Sequence, residues 1–171
     1  LDLPRTYGVD DIPVVIQDRQ FSAQRQFVFQ EGGVGQQGST IVINGTVDPY
    51  LELAPGVNRL RLLNGSNARV YQIGLESDET FYQIGSDGGW LEAPVALTRL
   101  RMAPGERAEI LLDLTGQGGS SFTILSYSSE LTRGEPGGVR GPGGPPPPPG
   151  GDIDGTDFPL LEIRVTSGGT T

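Results

Sequence analysis

The sequence predicts an all-β domain, a sandwich or a barrel, and three observations support this fold class. Apolar runs of strand length recur along the 171 residues. Within these runs apolar and polar residues alternate with the period of two that places successive side chains on opposite faces of a sheet. Turn dipeptides such as Asn44-Gly45 and Pro104-Gly105 separate the runs at intervals of roughly 8–12 residues. Two half-buried sheets that face each other would satisfy this pattern, and we find no convincing run at helical period.

The segment 57–114 shows the alternation best, and its Asn-Gly, Asp-Gly and Pro-Gly dipeptides predict antiparallel strands joined by tight turns. Tyr71, Ile73 and Leu75, for example, are predicted to share one face. Over the whole chain we expect about nine short strands. Strands outside this segment are predicted at 14–18, 26–30, 40–43, 50–54, 122–127 and 158–165, and a strand within it is predicted at 108–114.

Residues 133–151, R-G-E-P-G-G-V-R-G-P-G-G-P-P-P-P-P-G-G, interrupt the pattern. They offer no apolar face that could offset the entropy of ordering, so we expect a disordered or irregular loop. Strands are predicted on both sides of this loop, which makes it an insertion before the last strand. We therefore expect one domain over residues 1–171.

The net charge of −9 disfavours two classes of partner. Contacts to phosphates need clustered cations, so we expect no nucleic acid, and an anionic membrane surface is disfavoured for the same reason. No run of the sequence reaches the roughly 18 apolar residues of a membrane span.

The chain contains no histidine and no cysteine. This composition excludes a Ser-His-Asp triad, a cysteine nucleophile and a zinc site of the usual ligands. It also excludes a type 1 copper site, which needs two histidines and a cysteine. A carboxylate-pair hydrolase stays formally open because 21 acidic residues permit pairs, but no motif indicates one. We therefore predict no catalytic, cofactor-binding or metal-binding residue in this chain.

Residues 33–38 match the pattern G-x-G-x-x-G. A dinucleotide site needs a helix after this pattern, because the helix N-terminus takes the pyrophosphate. The residues that follow, S-T-I-V-I-N-G, predict a strand instead, so we interpret 33–38 as a hairpin loop.

Asp152, Asp154 and Asp157 cluster around a glycine, which suggests calcium. The spacing departs from that of an EF-hand loop, and no glutamate closes it. We favour a solvated acidic turn that leads into the last strand.

The five prolines Pro145–Pro149 would adopt polyproline II, the form that SH3 and WW domains bind. Because composition alone carries this signal, we favour a loop filler. Asn44-Gly45-Thr46 and Asn64-Gly65-Ser66 match the glycosylation sequon, but plain Asn-Gly turns explain both.

Seven motifs in a fixed order point to a known family. They are L-P-R-T-Y-G-V-D-D-I-P at 3–13 with V-I-Q-D-R at 15–19, V-I-N-G at 42–45 with Pro49-Tyr50, L-R-L-L-N-G-S-N-A-R at 60–69, I-G-S-D-G-G at 84–89 and A-P-G-E-R at 103–107. As a set these motifs resemble the middle domain of three-domain multicopper oxidases, the family of bacterial laccases, cuprous oxidases and bilirubin oxidases. The insertion at 133–151 has no counterpart in that family.

The resemblance implies a cupredoxin-like Greek-key β-sandwich. In that family His-x-His motifs of the first and last domains, with a cysteine of the last, bind copper, whereas the middle domain typically carries no ligands. The resemblance therefore implies that the flanking cupredoxin domains of the parent protein bind the copper. These flanking domains are the expected partners of this domain. The parent would oxidise phenols or reduced metal ions with O₂ in the periplasm or outside the cell, and this chain alone would be inactive.

Several residues of the matching motifs have expected structural roles. Asp87-Gly88-Gly89 is expected to form a tight turn where a side chain would clash, with Trp90 packed either beside it or against a neighbour. Asn64 and Asn67 are expected to hydrogen-bond their own backbone, and Arg69 to pair with a carboxylate. We also expect an exposed apolar patch where the flanking domains would pack.

Two other functions stay open at this point. In the first alternative, the parent protein is a copper-free exported relative with a structural or cell-division role. The sequence leaves this open because the histidines that would distinguish it from an oxidase lie outside this chain. The chain is alternatively a free-standing binding module that acts through its proline-rich tract.

Overall fold

The computed structural model describes residues 3–29, 35–143 and 153–167. Within these ranges eleven strands form two sheets packed face to face, which confirms the predicted all-β sandwich. A short 3-10 helix at Ser128–Glu130 follows the tenth strand. The strands are β1 (Asp11–Arg19), β2 (Thr40–Ile43), β3 (Tyr50–Leu53), β4 (Val57–Asn64), β5 (Tyr71–Leu75), β6 (Phe81–Ser86), β7 (Gly89–Leu97), β8 (Leu100–Met102), β9 (Arg107–Asp113), β10 (Ser121–Ser126) and β11 (Phe158–Val165).

One sheet has six strands in the order β2-β1-β4-β9-β6-β7, and the other has five in the order β3-β11-β10-β5-β8. The prediction of antiparallel strands within 57–114 is correct for the strand pairs of that segment, whereas two pairs that include strands outside it are parallel. Strand β1 lies parallel to β4, and β3 lies parallel to β11. The reason is the crossing of the chain between sheets: it leaves the six-stranded sheet for β3 and returns as β4, so no hairpin joins β1 to β4.

The core lies between the sheets and follows the predicted alternation. Along β4 every second residue from Asn58 to Asn64 is buried, and β9 buries Ala108, Ile110 and Leu112. Each leucine or isoleucine buried in this way contributes roughly 1.5–3 kcal/mol to stability. The buried apolar residues of this core include Ile12, Val14, Ile16, Leu60, Leu62, Tyr71, Ile73, Leu100, Met102, Ile110, Leu112, Ile124, Leu161 and Ile163.

The strand predicted at 26–30 is wrong for its described part, 26–29. Phe27 forms an isolated bridge with Phe21, and their rings stack with centroids 5.1 Å apart. Phe27 and Phe29 are both exposed, so their alternation does not mark a face of the core.

Strand β7 was not predicted, because its sequence lacks the alternation of a half-buried strand. It is the outer edge of the six-stranded sheet, and it is exposed over nearly its whole length. Pro94 interrupts its pattern, and its register against β6 shifts between Gln83 and Gly85. Edge strands tolerate proline and lack alternation, so periodicity cannot find them.

The turn predicted at Asn44-Gly45 is confirmed. Both residues have positive φ, 48° and 85°, as a two-residue hairpin turn of type I′ requires. The Asn44 side chain also accepts a hydrogen bond from the Val15 N–H (2.8 Å) and donates one to the Pro13 carbonyl (2.9 Å), which ties the turn to β1.

Candidate functional site

A buried charge cluster around Arg69 joins β1, the β4–β5 connection and the segment before β11. The Arg69 side chain is fully buried. Its Nε donates to Asp18 Oδ2 (3.1 Å), its Nη1 to Asp154 Oδ1 (2.6 Å) and its Nη2 to the Gly38 carbonyl (3.0 Å). The expected carboxylate partner of Arg69 is therefore confirmed. A guanidinium whose three nitrogens are all engaged fixes the relative positions of the segments that it contacts.

Asp18 depends on this arginine. Its carboxylate is fully buried, and its Oδ2 also accepts a hydrogen bond from the Gly38 N–H (2.8 Å). Its Oδ1 is buried with no hydrogen-bond partner among the described residues. A buried carboxylate is strongly destabilising unless a cation neutralises it, so Arg69 is a structural necessity here.

A polar chain runs from this cluster into the core. Ser66 Oγ accepts a hydrogen bond from the Asp18 N–H (3.0 Å) and lies 2.8 Å from the Tyr71 hydroxyl. Burial first, and then the nearby carboxylate of Asp18, raise the pKa of Tyr71 above its ordinary value of 10.0. Tyr71 is therefore a neutral hydrogen-bonding group and not an acid at physiological pH.

Asn64 closes the same region and corrects one prediction. It does not form a plain Asn-Gly turn: its side chain is fully buried at the end of β4. Its Nδ2 donates to the carbonyls of Arg69 (2.8 Å) and Met102 (3.0 Å), and its Oδ1 accepts from the Ser66 N–H (3.0 Å). The expected bonding to local backbone is confirmed, and the buried amide is not accessible for glycosylation.

The described part of the insertion, 133–143, is irregular and packs against this cluster by polar contacts. The Pro136 carbonyl accepts a hydrogen bond from the Val70 N–H (2.9 Å), and the Gly137 carbonyl accepts one from the Gly155 N–H (3.0 Å). Arg140 Nη2 lies 2.7 Å from Asp154 Oδ2. The lack of an apolar face therefore does not keep this part away from the domain, because hydrogen bonds and ion pairs hold it.

The acidic turn before β11 binds arginine and backbone groups. Asp154 pairs with Arg69 and Arg140, and Asp157 Oδ1 accepts a hydrogen bond from the Ser129 N–H (3.0 Å). Asp152 lies outside the described residues. Asp154 is thus a buried ion-pair partner and not the solvated residue that we predicted.

Two other sequence features also fall on residues that the structure does not describe: Pro145–Pro149 and the first two residues of 33–38. Within the described ranges no group of three or more His, Cys, Asp or Glu side chains is arranged to hold a metal ion. No helix in the described part of the chain has the length and apolar character needed to cross a bilayer.

The outer face of the six-stranded sheet carries a groove of about 430 Å³. Its floor contains the half-buried apolar side chains of Pro13, Val15 and Leu63, and Trp90 lines it. Trp90 is the only tryptophan of the chain, and it is 60% exposed. The Arg59 guanidinium lies 4.9 Å from the centre of the indole ring and holds Glu109 through a hydrogen bond of 2.8 Å. The groove therefore combines apolar side chains and one aromatic side chain with the charged residues Arg61, Arg107 and Glu109, and the expected docking patch stays a prediction.

The Asp87-Gly88-Gly89 turn lies beside this groove, but the reason for its glycines is not the predicted clash. A Cβ added at Gly88 or Gly89 would meet no atom within 4 Å. Gly88 has a φ of 102°, a conformation that side chains rarely adopt, and this explains the residue. Asp87 Oδ1 accepts a hydrogen bond from the Arg107 N–H (2.9 Å), which ties the turn to β9.

Sequence reasoning missed the groove because its residues come from five strands, β1, β4, β6, β7 and β9. Arg61 and Glu109 face each other across β4 and β9, and Trp90 pairs with Gly85 across β7 and β6. The one signal in the sequence is that the single tryptophan, Trp90, directly follows Gly88-Gly89.

Comparisons with known proteins give two kinds of match. Curated relatives named cell division protein FtsP, from Xenorhabdus nematophila and Escherichia coli, are each 43% identical over 134 residues, which is 78% of this chain. The homologue from Salmonella typhimurium is 44% identical over the same length. The chain spans 28% of the length of these relatives. No protein-family model matches the chain.

Solved structures of oxidases match the whole fold. The McoA multicopper oxidase from Aquifex aeolicus is 32% identical with a TM-score of 0.78, and the match covers 96% of this chain and 33% of that one. A laccase-like multicopper oxidase, CueO from an Ochrobactrum species, is 31% identical with a TM-score of 0.73, and the match covers 96% of this chain and 32% of that one.

Proposed function

We propose that this chain, a cupredoxin-like domain of the multicopper oxidase family, is the non-catalytic middle domain of a cell-division protein that resembles FtsP. The observation that carries the proposal is the 43–44% identity to cell division proteins over 134 residues, against 31–34% to solved oxidases. Residues 1–171 form one domain in this proposal. The role of the domain is structural: it holds its neighbours in a fixed relative position.

The composition supports a role without chemistry in this domain. A chain with no histidine and no cysteine has no blue-copper ligands, so any copper of the parent would be bound by flanking domains. We assign no catalytic, cofactor-binding or metal-binding residue here. The role of the Arg69 cluster is to make the domain rigid, since each of its buried charges is paired with a group on another segment of the chain.

A second function, the middle domain of a phenol- or metal-ion-oxidising enzyme, is favoured by the structural matches. The oxidases superpose over 96% of this chain with TM-scores of 0.73–0.78. The two functions would use the same fold for this domain, and they differ in the histidines and cysteine of the flanking domains.

Gene deletion with complementation tests the proposed function. In the source organism, loss of the gene is expected to lengthen cells because division is delayed, and a plasmid copy of the whole gene is expected to restore normal length. A copy that lacks this domain, matched for expression by immunoblot, is expected to fail. Normal division after deletion, together with loss of copper-dependent phenol oxidation, would contradict the proposal and favour the oxidase.

We also propose that the parent acts outside the cytoplasm, as the family resemblance implies. Cell fractionation with an antibody to this domain checks this directly. The expected result is signal in the periplasmic or extracellular fraction, and a signal confined to the cytoplasmic fraction would contradict it.

A further inference from the structure

We propose that the groove beside Trp90 is the surface on which a neighbouring domain of the same polypeptide docks. The proposal rests on the function proposed above, that of a middle domain, and adds which face makes the contact. The neighbour is expected to insert an apolar side chain, flanked by a carboxylate, into the groove.

The shape and composition of the groove support docking. Its lining includes the apolar side chains of Pro13, Val15 and Leu63, and Trp90 is its one aromatic residue. Arg59, held by Glu109, stacks on the indole and limits its motion. A pre-oriented tryptophan beside an apolar hollow is the arrangement that contributes most to binding at interfaces, because little side-chain entropy is lost on association.

The charges of the groove indicate what the neighbour presents. Arg61, Arg107 and Glu109 line it. Arg61 pairs with Asp11 (2.7 Å) and Glu109 with Arg59 (2.8 Å), which leaves Arg107 as the lining charge with the longest and most exposed ion pair. Arg107 is 62% exposed in its side chain and contacts Asp87 only at 3.4 Å. A partner carboxylate could therefore approach Arg107 without first displacing a buried ion pair, and this favours an acidic group beside the apolar side chain.

The opposite face of the sandwich suits solvent. On the outer face of the five-stranded sheet, Arg164 pairs with Glu162 at 2.8 Å, and Arg101 pairs with Glu135. At its edge, Arg99 pairs with Asp78 at 2.7 Å while its guanidinium lies 3.3 Å from the centre of the Tyr127 ring. Exposed ion pairs of this kind are typical of a hydrated surface.

A domain of the same polypeptide fits the groove better than a second copy of the chain. The matched relatives are three to four times longer than the aligned region, since the chain spans 28% of the cell division proteins and 32–33% of the oxidases. A tethered neighbour has an effective concentration in the millimolar range, so one small groove is sufficient for contact. A stable dimer would need about 800 Å² buried on each partner.

Two half-buried leucines on opposite faces supply the test. Leu63→Asp places a charge in the groove, and Leu125→Asp is the matched control on the five-stranded sheet. Each variant is made in the 171-residue chain and in the protein encoded by the whole gene, and the Tm of these four proteins is compared with that of the two unsubstituted forms. We expect Leu63→Asp to lower the Tm of the whole protein by about 2–4 °C more than that of the 171-residue chain. Leu125→Asp is expected to shift both forms equally.

Trp90→Ala gives a second reading with less effect on folding, because the side chain is exposed. It should reproduce the extra loss of Tm in the whole protein. Equal shifts in both forms for Leu63→Asp and for Trp90→Ala would overturn the proposal. A 171-residue chain that sediments as a dimer, and as a monomer after Leu63→Asp, would assign the groove to a second copy and would also overturn it. The complementation experiment distinguishes failure of this docking proposal from failure of the proposed function, because restored division does not depend on where the groove lies.

Discussion

Arg69 is the residue that keeps two buried carboxylates neutralised. Replacing it by methionine leaves Asp18 without a cation, while Asp154 keeps Arg140. Because an uncompensated buried charge is costly, Arg69→Met is expected to lower the free energy of unfolding by about 3–5 kcal/mol. Urea denaturation followed by circular dichroism measures the loss.

Arg164→Met is the matched control for Arg69→Met. Arg164 pairs with Glu162 at the surface, where water and salt screen both groups. Its replacement is expected to leave the urea midpoint nearly unchanged. If the two substitutions shift the midpoint equally, the buried cluster does not stabilise the fold as described.

Tyr71 is expected to make stability fall at alkaline pH. Its pKa is raised in the folded chain, chiefly by burial and then by Asp18, so above pH 10 the unfolded chain loses a proton that the folded chain keeps. Its contribution is complete below the ordinary pKa of 10 and is lost as the pH rises towards the folded pKa, with a slope of at most about 1.4 kcal/mol per pH unit. Unfolding free energies measured between pH 9 and 11, roughly the range around the tyrosine pKa, test this.

Tyr71→Phe is the reference for that titration, because phenylalanine keeps the ring and removes the ionisable hydroxyl. The variant is expected to be less stable at neutral pH by about 1 kcal/mol, since Ser66 loses one of its two hydrogen-bond partners. Its stability should fall less steeply above pH 10 than that of the original chain. Parallel pH profiles would contradict the assignment.

At the residue scale, the sequence predicts kinds of role better than partners. An arginine in an apolar context predicts a carboxylate partner, and Arg69 has one. The identity of that partner is not predictable from spacing, because Asp18 and Asp154 lie 51 and 85 residues away and meet only when the sheets pack.

The segment before β2 passes so close to the end of β1 that only a glycine fits at position 38. A Cβ added at Gly38 would overlap the backbone of Arg19 and lie 2.7 Å from the Gln20 nitrogen. Gly38→Ala is therefore expected to cost about 1–3 kcal/mol of unfolding free energy by overpacking. Gly89→Ala, where an added Cβ meets nothing within 4 Å, is the control and should be almost neutral. Equal urea midpoints for the two variants would refute the close approach.

The first part of the insertion is expected to be held by Asp154. Asp154→Asn removes the charge that pairs with Arg69 and Arg140, so trypsin should cleave after Arg140 faster than in the original chain. Asp157→Asn is the control, because an amide oxygen can still accept the hydrogen bond from the Ser129 N–H. Identical cleavage rates for the two variants would show that Asp154 does not hold the segment.

At the element scale, periodicity finds strands that bury one face. Strands β4, β5, β9 and β11 were predicted for this reason: β4 and β9 alternate strictly between core and surface, and β5 and β11 do so except where neighbouring residues are both buried. It fails where burial does not alternate: β7 is exposed on both faces, and 26–29 alternates without a core beneath it.

At the scale of the whole molecule, the sandwich and its resemblance to a middle domain were predictable, because both depend on local patterns in chain order. The parallel pairs and the groove were not, since they depend on how the two sheets exchange strands. The central claim is that this domain contributes structure and not chemistry to a division protein.

The copper content of the protein encoded by the whole gene tests that claim most directly. The protein is expressed with added copper, purified, and analysed for bound copper and for oxidation of a phenol. The claim predicts copper well below one atom per chain and no turnover above background. Stoichiometric copper together with phenol oxidation would contradict it, and would identify the parent as an oxidase.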